Sequence, residues 1–455
     1  MGPAHRLRKA LGIGVAALAT APIVIAGPSA FAKAPSIGPA PTEFGFITQV
    51  TVDGRGRLLV TGEVGDLVHP IDCHNGTNTN ALTSSAVAYR FSSQGIPDAS
   101  FGDGGQVRLQ PTGAAASTTG AITTMQGGAL WAVQSVSDAC TNFANPSTAT
   151  STLVPLSEDG TPDLAGAIAL PGRYLYSVFP NGSGGYAALD DISGSLVQIG
   201  PDGAGQPVAV FPPGVKIARS RQTDGGLIVT GVDADNRGIW LARLTAPSLA
   251  LDTSFGSGGL VHLRIADVPG ASGHATTADV ATDNAGRLIV TFDTEQPGTL
   301  GDFAIDWVVR YLADGTLDTS FGAAGFVEVP TVTGSQTGNI LMAPTVVDSA
   351  GRLVLGVSTG FDYRVLRLTD DGEMDASFGP GGFSAQTFNG IGGMAVSGDG
   401  LYVVDFVSPA AASAASTARR PAATACDGYL HIGSARVTRL TMLGAVDRTL
   451  GCTTG

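Results

Sequence analysis

Asp314-Gly315-Thr316-Leu317-Asp318-Thr319-Ser320-Phe321-Gly322-Ala323-Ala324-Gly325 decides how this chain is read, because versions of it recur along the sequence. The core of the stretch returns as Asp98-Ala99-Ser100-Phe101-Gly102, Asp252-Thr253-Ser254-Phe255-Gly256 and Asp375-Ala376-Ser377-Phe378-Gly379. Each copy follows a β pattern that carries an arginine at nearly constant spacing: Arg90 before Asp98, Arg243 before Asp252, Arg310 before Asp318, Arg367 before Asp375, and Arg439 before Asp447. A constellation repeated in five units cannot mark a single active site. The aspartate suits a turn in which its carboxylate accepts backbone N–H bonds, and glycine permits backbone angles that other residues resist. Asp98, Phe101, Asp252, Phe255, Asp318, Phe321, Asp375 and Phe378 are therefore expected to be structural, with the rings buried against their own or the next repeat.

A second motif precedes the first. Asp53-Gly54-Arg55-Gly56-Arg57-Leu58-Leu59-Val60 reads as a tight turn between two strands, and so do Asp283 to Val290 and Asp348 to Leu355. With the arginine-bearing strand and a short closing strand such as Phe326-Val327-Glu328-Val329, each repeat holds four antiparallel strands. Counting first hairpins places unit starts near Phe44, Ser117, Gly172, Val215, Thr277, Ala343 and Gly392. Units of this size fit radial repeats better than small solenoid repeats. The expected fold is all-β, a seven-bladed β-propeller of four-stranded antiparallel blades forming one domain over residues 33–455. The last unit ends before a full fourth strand, so residues 33–42 are expected to supply the missing edge.

The two motifs together resemble the delta-60 repeat family of bacterial propeller-like proteins, over essentially all of the chain after its leader. That resemblance implies propeller architecture and an extracellular or cell-envelope setting. It brings no catalytic residues.

The chain begins with His5-Arg6-Leu7-Arg8-Lys9, an apolar run, and Ala30-Phe31-Ala32, the form of a secretory signal peptide over residues 1–32. Cleavage near Ala32 predicts a secreted or envelope-associated product with no membrane insertion of the mature chain. The formal charge of the full chain is -13. Losing three cations with the leader leaves 22 - 38 = -16, and such a surface repels nucleic acid. Export and an even cysteine count favour disulfides among Cys73, Cys140, Cys426 and Cys452, with Cys73–Cys140 preferred and Cys73–Cys426 next.

The connections between second and third strands are longest at Glu63 to Ser85, Ser135 to Thr150 and Ser408 to Asp427, and they share one face. That face is the expected place for an extracellular protein or glycan partner of a monomeric, non-catalytic scaffold. The alternative is an extracellular hydrolase, lyase or oxidoreductase with its site at the channel mouth. Asp66, His69, Asp72, Cys73 and His74 form no ligand set of known spacing, and Asp233-Ala234-Asp235-Asn236 lacks the distal glutamate of a calcium loop. Gly356-Val357-Ser358-Thr359-Gly360 matches a nucleophile elbow but has no helix after it. No cofactor, metal or catalytic residue is expected.

Overall fold

The computed structural model describes residues 23–25, 43–73, 77–109, 116–124, 130–138, 150–181, 185–190, 193–200, 202–223, 226–295, 304–329, 345–358, 362–398, 400–406, 429–432 and 435–450. Among them the chain is a β-propeller of small antiparallel sheets, and its only helical turns are short 3-10 segments. No helix among the described residues is long and apolar enough to cross a membrane.

The first meander is β2 (Glu43–Val52), β3 (Leu58–Cys73), β4 (Thr77–Phe91) and β5 (Gln106–Leu109), with β1 (Ile23–Ile25) added beside β2. The second is β6 (Ala116–Thr124), β7 (Leu130–Asp138), β8 (Thr150–Leu156) and β9 (Ile168–Pro171). The third is β10 (Leu175–Pro180), β11 (Tyr186–Asp190), β12 (Ser195–Ile199) and β13 (Gly205–Val208). The fourth holds β14 (Lys216–Thr223), β15 (Gly226–Val232), β16 (Gly238–Thr245), β17 (Ala250–Leu251) and β18 (Leu260–Arg264). The fifth is β19 (His274–Thr282), β20 (Leu288–Glu295), β21 (Ala304–Tyr311) and β22 (Phe326–Glu328). Then come β23 (Val346–Val347), β24 (Leu353–Ser358) and β25 (Tyr363–Leu368), and finally β26 (Ile391–Ser397), β27 (Gly400–Phe406), β28 (Tyr429–Ile432) and β29 (Ala435–Thr441).

These strands make six sheets, which corrects the count of seven separate blades. The difference lies at Glu63 to Ser85. Instead of a loop, this stretch continues the β3–β4 ladder as a two-stranded ribbon, paired from Glu63↔Ala86 out to Cys73↔Thr77. At about 3.3 Å per residue it extends the hairpin by roughly 35 Å. On the way it meets the second meander through the parallel pair Thr83↔Thr118, and one nine-stranded sheet results.

The first strands meet around a ring. β2 touches β6, β6 touches β10, and β14 is met by β12; β14 then touches β19, β19 touches β23, β23 touches β26, and β26 returns to β2. Among the described residues the first and last meanders meet where β26 faces β2. The fourth position of the last sheet, expected from residues 33–42, is held by β28, which comes from the connection before β29. Residues 33–42 lie outside the described residues.

The hairpin turns explain why strands begin where they do. Asp53 Oδ1 accepts the N–H groups of Arg55 and Arg57 at 2.9 Å each, its Oδ2 takes Arg57 Nε at 2.6 Å, and Gly56 sits at φ +75°. Asp283 with Arg287 and Asp348 with Arg352 repeat this arrangement. Alternate strand residues then enter cores shared between neighbouring meanders, such as Ile228 and Leu241 with Val280 and Phe292.

Candidate functional site at the channel mouth

The recurring arginines are occupied on the face of the ring that carries the tight turns. Arg310 Nε donates to Asp318 Oδ2 at 2.7 Å, and the Asp318 Oδ1 accepts Ser320 N–H at 3.1 Å and Ser320 O–H at 2.5 Å. Arg90, Arg243 and Arg367 bind Asp98, Asp252 and Asp375 in the same way, at 2.8, 2.8 and 2.7 Å. Arg439 Nη1 lies 2.9 Å from Asp447. Each of the first four guanidinium groups also stacks on the phenylalanine of its motif, 4.4 to 4.8 Å from the rings of Phe101, Phe255, Phe321 and Phe378. All four rings are completely buried.

The remaining donors reach the next repeat. Arg90, Arg243 and Arg310 donate Nη1 to the carbonyls of Glu158, Ala313 and Asp370, and Arg367 donates to that of Met442 at 2.7 Å. One residue further on, the N–H groups of Gly102, Gly256 and Gly322 donate to the carbonyls of Asp159, Asp314 and Asp371, each at 2.7 Å. The following glycine of each turn, Gly160, Gly315 or Gly372, lies against the ring of Phe101, Phe255 or Phe321. The motif is a latch between consecutive repeats.

Ionisation follows this bonding. The Ser100 hydroxyl, then its N–H and Arg90, hold Asp98 below the usual carboxylate range. At Asp318 burial pushes upward, but Ser320 and Arg310 outweigh it and the pKa is lowered. Asp375 behaves like Asp318, and Asp252 like Asp98.

The opposite face carries the ribbon, the links between repeats and the upper ends of the first strands. Five first strands are bulged near that end: β2 between Ile47 and Gln49, β10 between Leu175 and Ser177, β14 between Ile217 and Arg219, β19 between Ala275 and Ala278, and β26 between Ile391 and Gly393. A bulge re-aims the residues beside it. Thr230 fixes one of them, accepting Arg219 N–H at 3.1 Å and donating to the Ala278 carbonyl of the next meander at 2.9 Å. Arg219 and Asp279 occupy matching positions, opposite Thr230 and Thr291.

Two carboxylates of this face are held by arginines. Arg173 reaches Asp190 at 2.8 Å, and Arg436 grips the fully buried Asp405 through both carboxylate oxygens. Burial pushes Asp405 up to about 6 against that pull. Asp233 accepts Trp240 Nε1 at 2.6 Å and lies 3.1 Å from His262 Nε2, with the indole and imidazole stacked at 4.1 Å. The aspartate of the loop reminiscent of calcium sites is therefore engaged by side chains, and Asn236 turns the chain at φ 60°. His274 is exposed at the start of β19. Ser358 ends β24 in a hairpin with β25, opposite Tyr363, so the elbow-like sequence is strand to strand. Cys73 pairs its backbone with Thr77 at the ribbon end. Its side chain, those of Asp66, His69, Asp72 and His431, and all of His74, Cys140, Cys426 and Cys452 lie outside what is described. No group of three or more potential metal ligands occurs among the described residues.

Sequence reasoning did not single out Arg219, Arg221 and Asp279. The signal was present as Lys216-Ile217-Ala218-Arg219-Ser220-Arg221, three cations on one first strand of a chain with net charge -13.

The chain matches no protein-family profile, and no curated protein matches it in sequence. Among solved structures it is similar to virginiamycin B lyase from Staphylococcus aureus, at 13% identity over 79% of this chain and 94% of that one, with a TM-score of 0.41. An α-L-arabinanase of Penicillium chrysogenum has 11% identity over 93% and 98%, TM-score 0.41. The Cps50 (Swd1) β-propeller domain of Myceliophteria thermophila has 10% identity over 87% and 97%, TM-score 0.43. Likenesses at this level transfer no activity.

Proposed function

We propose that the chain is an exported, non-catalytic scaffold that holds a protein or glycan partner on the face bearing the ribbon. One observation carries this reading: the β3–β4 ribbon stands out from the sheet on the face opposite the latches, and among the described residues β2 accompanies it as far as Gly65. The recurring polar residues are spent in holding repeats together, so the variable connections are left to do the recognising. The repeat's likeness to the delta-60 family and the leader-like N-terminus support an extracellular setting, where Cys73 would pair with Cys140.

Replacing residues 66–82 by a two-residue turn tests the scaffold reading. The trimmed chain should unfold at the parent temperature while losing binding to an immobilised panel of cell-surface polysaccharides and proteins. Turnover of any chromogenic glycoside, ester or lactone by the parent would sink it in favour of an enzyme at the channel mouth.

A further inference from the structure

We propose that Arg219 and Arg221 form an anion site on the channel wall, taking a carboxylate or phosphate group of a small ligand. The first strands from β2 to β26 carry three full cations, Lys216, Arg219 and Arg221, all on β14, against two carboxylates, Glu43 and Asp279. In a chain of net charge -13 this is a local reversal of sign. A cleft lined by one sign concentrates counter-ions of the other.

The register aims both arginines the same way. Beyond the bulge, Arg219 pairs with Thr230 and Arg221 with Ile228, so the two side chains share a face. That face is turned to the fifth meander, because Thr230 bonds the Ala278 carbonyl and Ile228 packs with Val280 and Phe292. Arg221 Nη2 lies 3.9 Å from Asp279 Oδ2, with the two side chains 33% and 19% exposed. The contact is too long for a hydrogen bond. Arg219 is half-buried, and among the described residues its guanidinium has neither an ion pair nor a hydrogen bond.

This sets Arg219 apart from Arg90, Arg243 and Arg367, whose donors are taken by a carboxylate, a hydroxyl and a carbonyl. A planar guanidinium offers parallel donors matched to two oxygens of one anion. One such group could bridge Arg219 and Arg221, and Asp279 would orient Arg221 from the other side. Lys216, exposed at the rim, adds charge along the approach.

Isothermal titration of the purified chain at low ionic strength, with citrate and separately with inorganic phosphate, tests the site. Saturable one-to-one binding of either is expected, and the stronger of the two tells a carboxylate site from a phosphate site. Arg219→Gln should weaken it about tenfold, and Arg219→Lys should fall between, keeping charge but losing the fork. Arg219→Lys also serves if the glutamine variant fails to fold. Arg237→Gln, at an exposed turn of the same meander, should bind like the parent. No saturable binding of either anion, or an equal loss in Arg237→Gln, overturns the proposal.

Discussion

The seam between the fifth and sixth repeats and the seam between the second and third are built on the same backbone plan with different chemistry. In the first, Arg310 bonds Asp318, covers Phe321 and donates to the Asp370 carbonyl. In the second, Pro155 stands where the arginine belongs: Asp163 N–H bonds the Pro155 carbonyl just as Asp318 N–H bonds that of Arg310. The phenylalanine is missing as well, and Leu164 beside it is 70% exposed. What remains is apolar packing of Leu153 and Leu170 on Leu175 and Val178, with Ser151 bonding the Arg173 carbonyl and Leu175 N–H. At the seam after that, Gln198 takes the arginine position and reaches the Pro247 carbonyl at 3.4 Å. Apolar packing with one or two side-chain hydrogen bonds therefore suffices to place a repeat, and the latch adds strength and register to it.

The largest expected effect is at the ring of the latch. Phe321→Ala removes a fully buried side chain and should cost about 3–5 kcal/mol in denaturant unfolding. A cost below about 1 kcal/mol, with loss of ligand binding instead, would make the motif a binding site and break the comparison. Next comes the turn that lies on that ring. Gly372 has φ +87°, and a Cβ there would sit 2.8 Å from Phe321 Cε2, whereas Gly56 has φ +75° and nothing within 4 Å. Gly372→Ala should cost about 2–4 kcal/mol, and Gly56→Ala about 1 kcal/mol. Equal costs would show that backbone angle alone, and not contact across the seam, explains the glycine.

Acid separates the seams by ionisation. Asp98, Asp252, Asp318 and Asp375 have lowered pKa values, so the unfolded chain takes up protons first and their contribution is lost as pH falls below about 4. Asp405 has the opposite sign: raised to about 6, it contributes most below its unfolded value and loses that contribution as pH rises through 6. Hydrogen exchange at pH 5 and pH 3 should show β19 to β25 losing more protection than β10 to β13. Equal losses would mean that the ion pairs add nothing.

The difference between seams also explains what could be read from the sequence. Repeated Asp-x-x-Gly-Arg and Asp-x-Ser-Phe-Gly fix turns by local bonding, so the all-β propeller of small antiparallel sheets was legible, while the merging of the first two meanders into one sheet was not. The latch partners were not, because Arg310 ends on a backbone carbonyl of the next repeat, and any residue type supplies one. The ribbon was hidden by Gly65, Pro70 and Asn75-Gly76, which punctuate the stretch like a loop. Arg219 was hidden by its bulge, since one extra residue breaks the alternation by which strand faces are read.

The smallest effect is a gain. Pro155 and Asp163 keep the eight-residue separation of Arg90 from Asp98 and Arg310 from Asp318. Asp163 already accepts the N–H groups of Ala165 and Gly166 through Oδ1, as a latch aspartate does, at 3.1 and 3.0 Å. Pro155→Arg restores a donor for the remaining oxygen and a backbone N–H to β8. With no phenylalanine beneath it, the new guanidinium has only the ion pair to gain. That pair lies near the surface, so about 0.5–1 kcal/mol of added stability is expected. The gain should appear as slower exchange in β8 and β10 and leave β19 to β25 unchanged. If Pro155→Arg stabilises the chain as strongly as Phe321→Ala weakens it, the ion pair and not the ring is the main part of the latch. If it destabilises, the proline is itself what holds the second and third repeats in register.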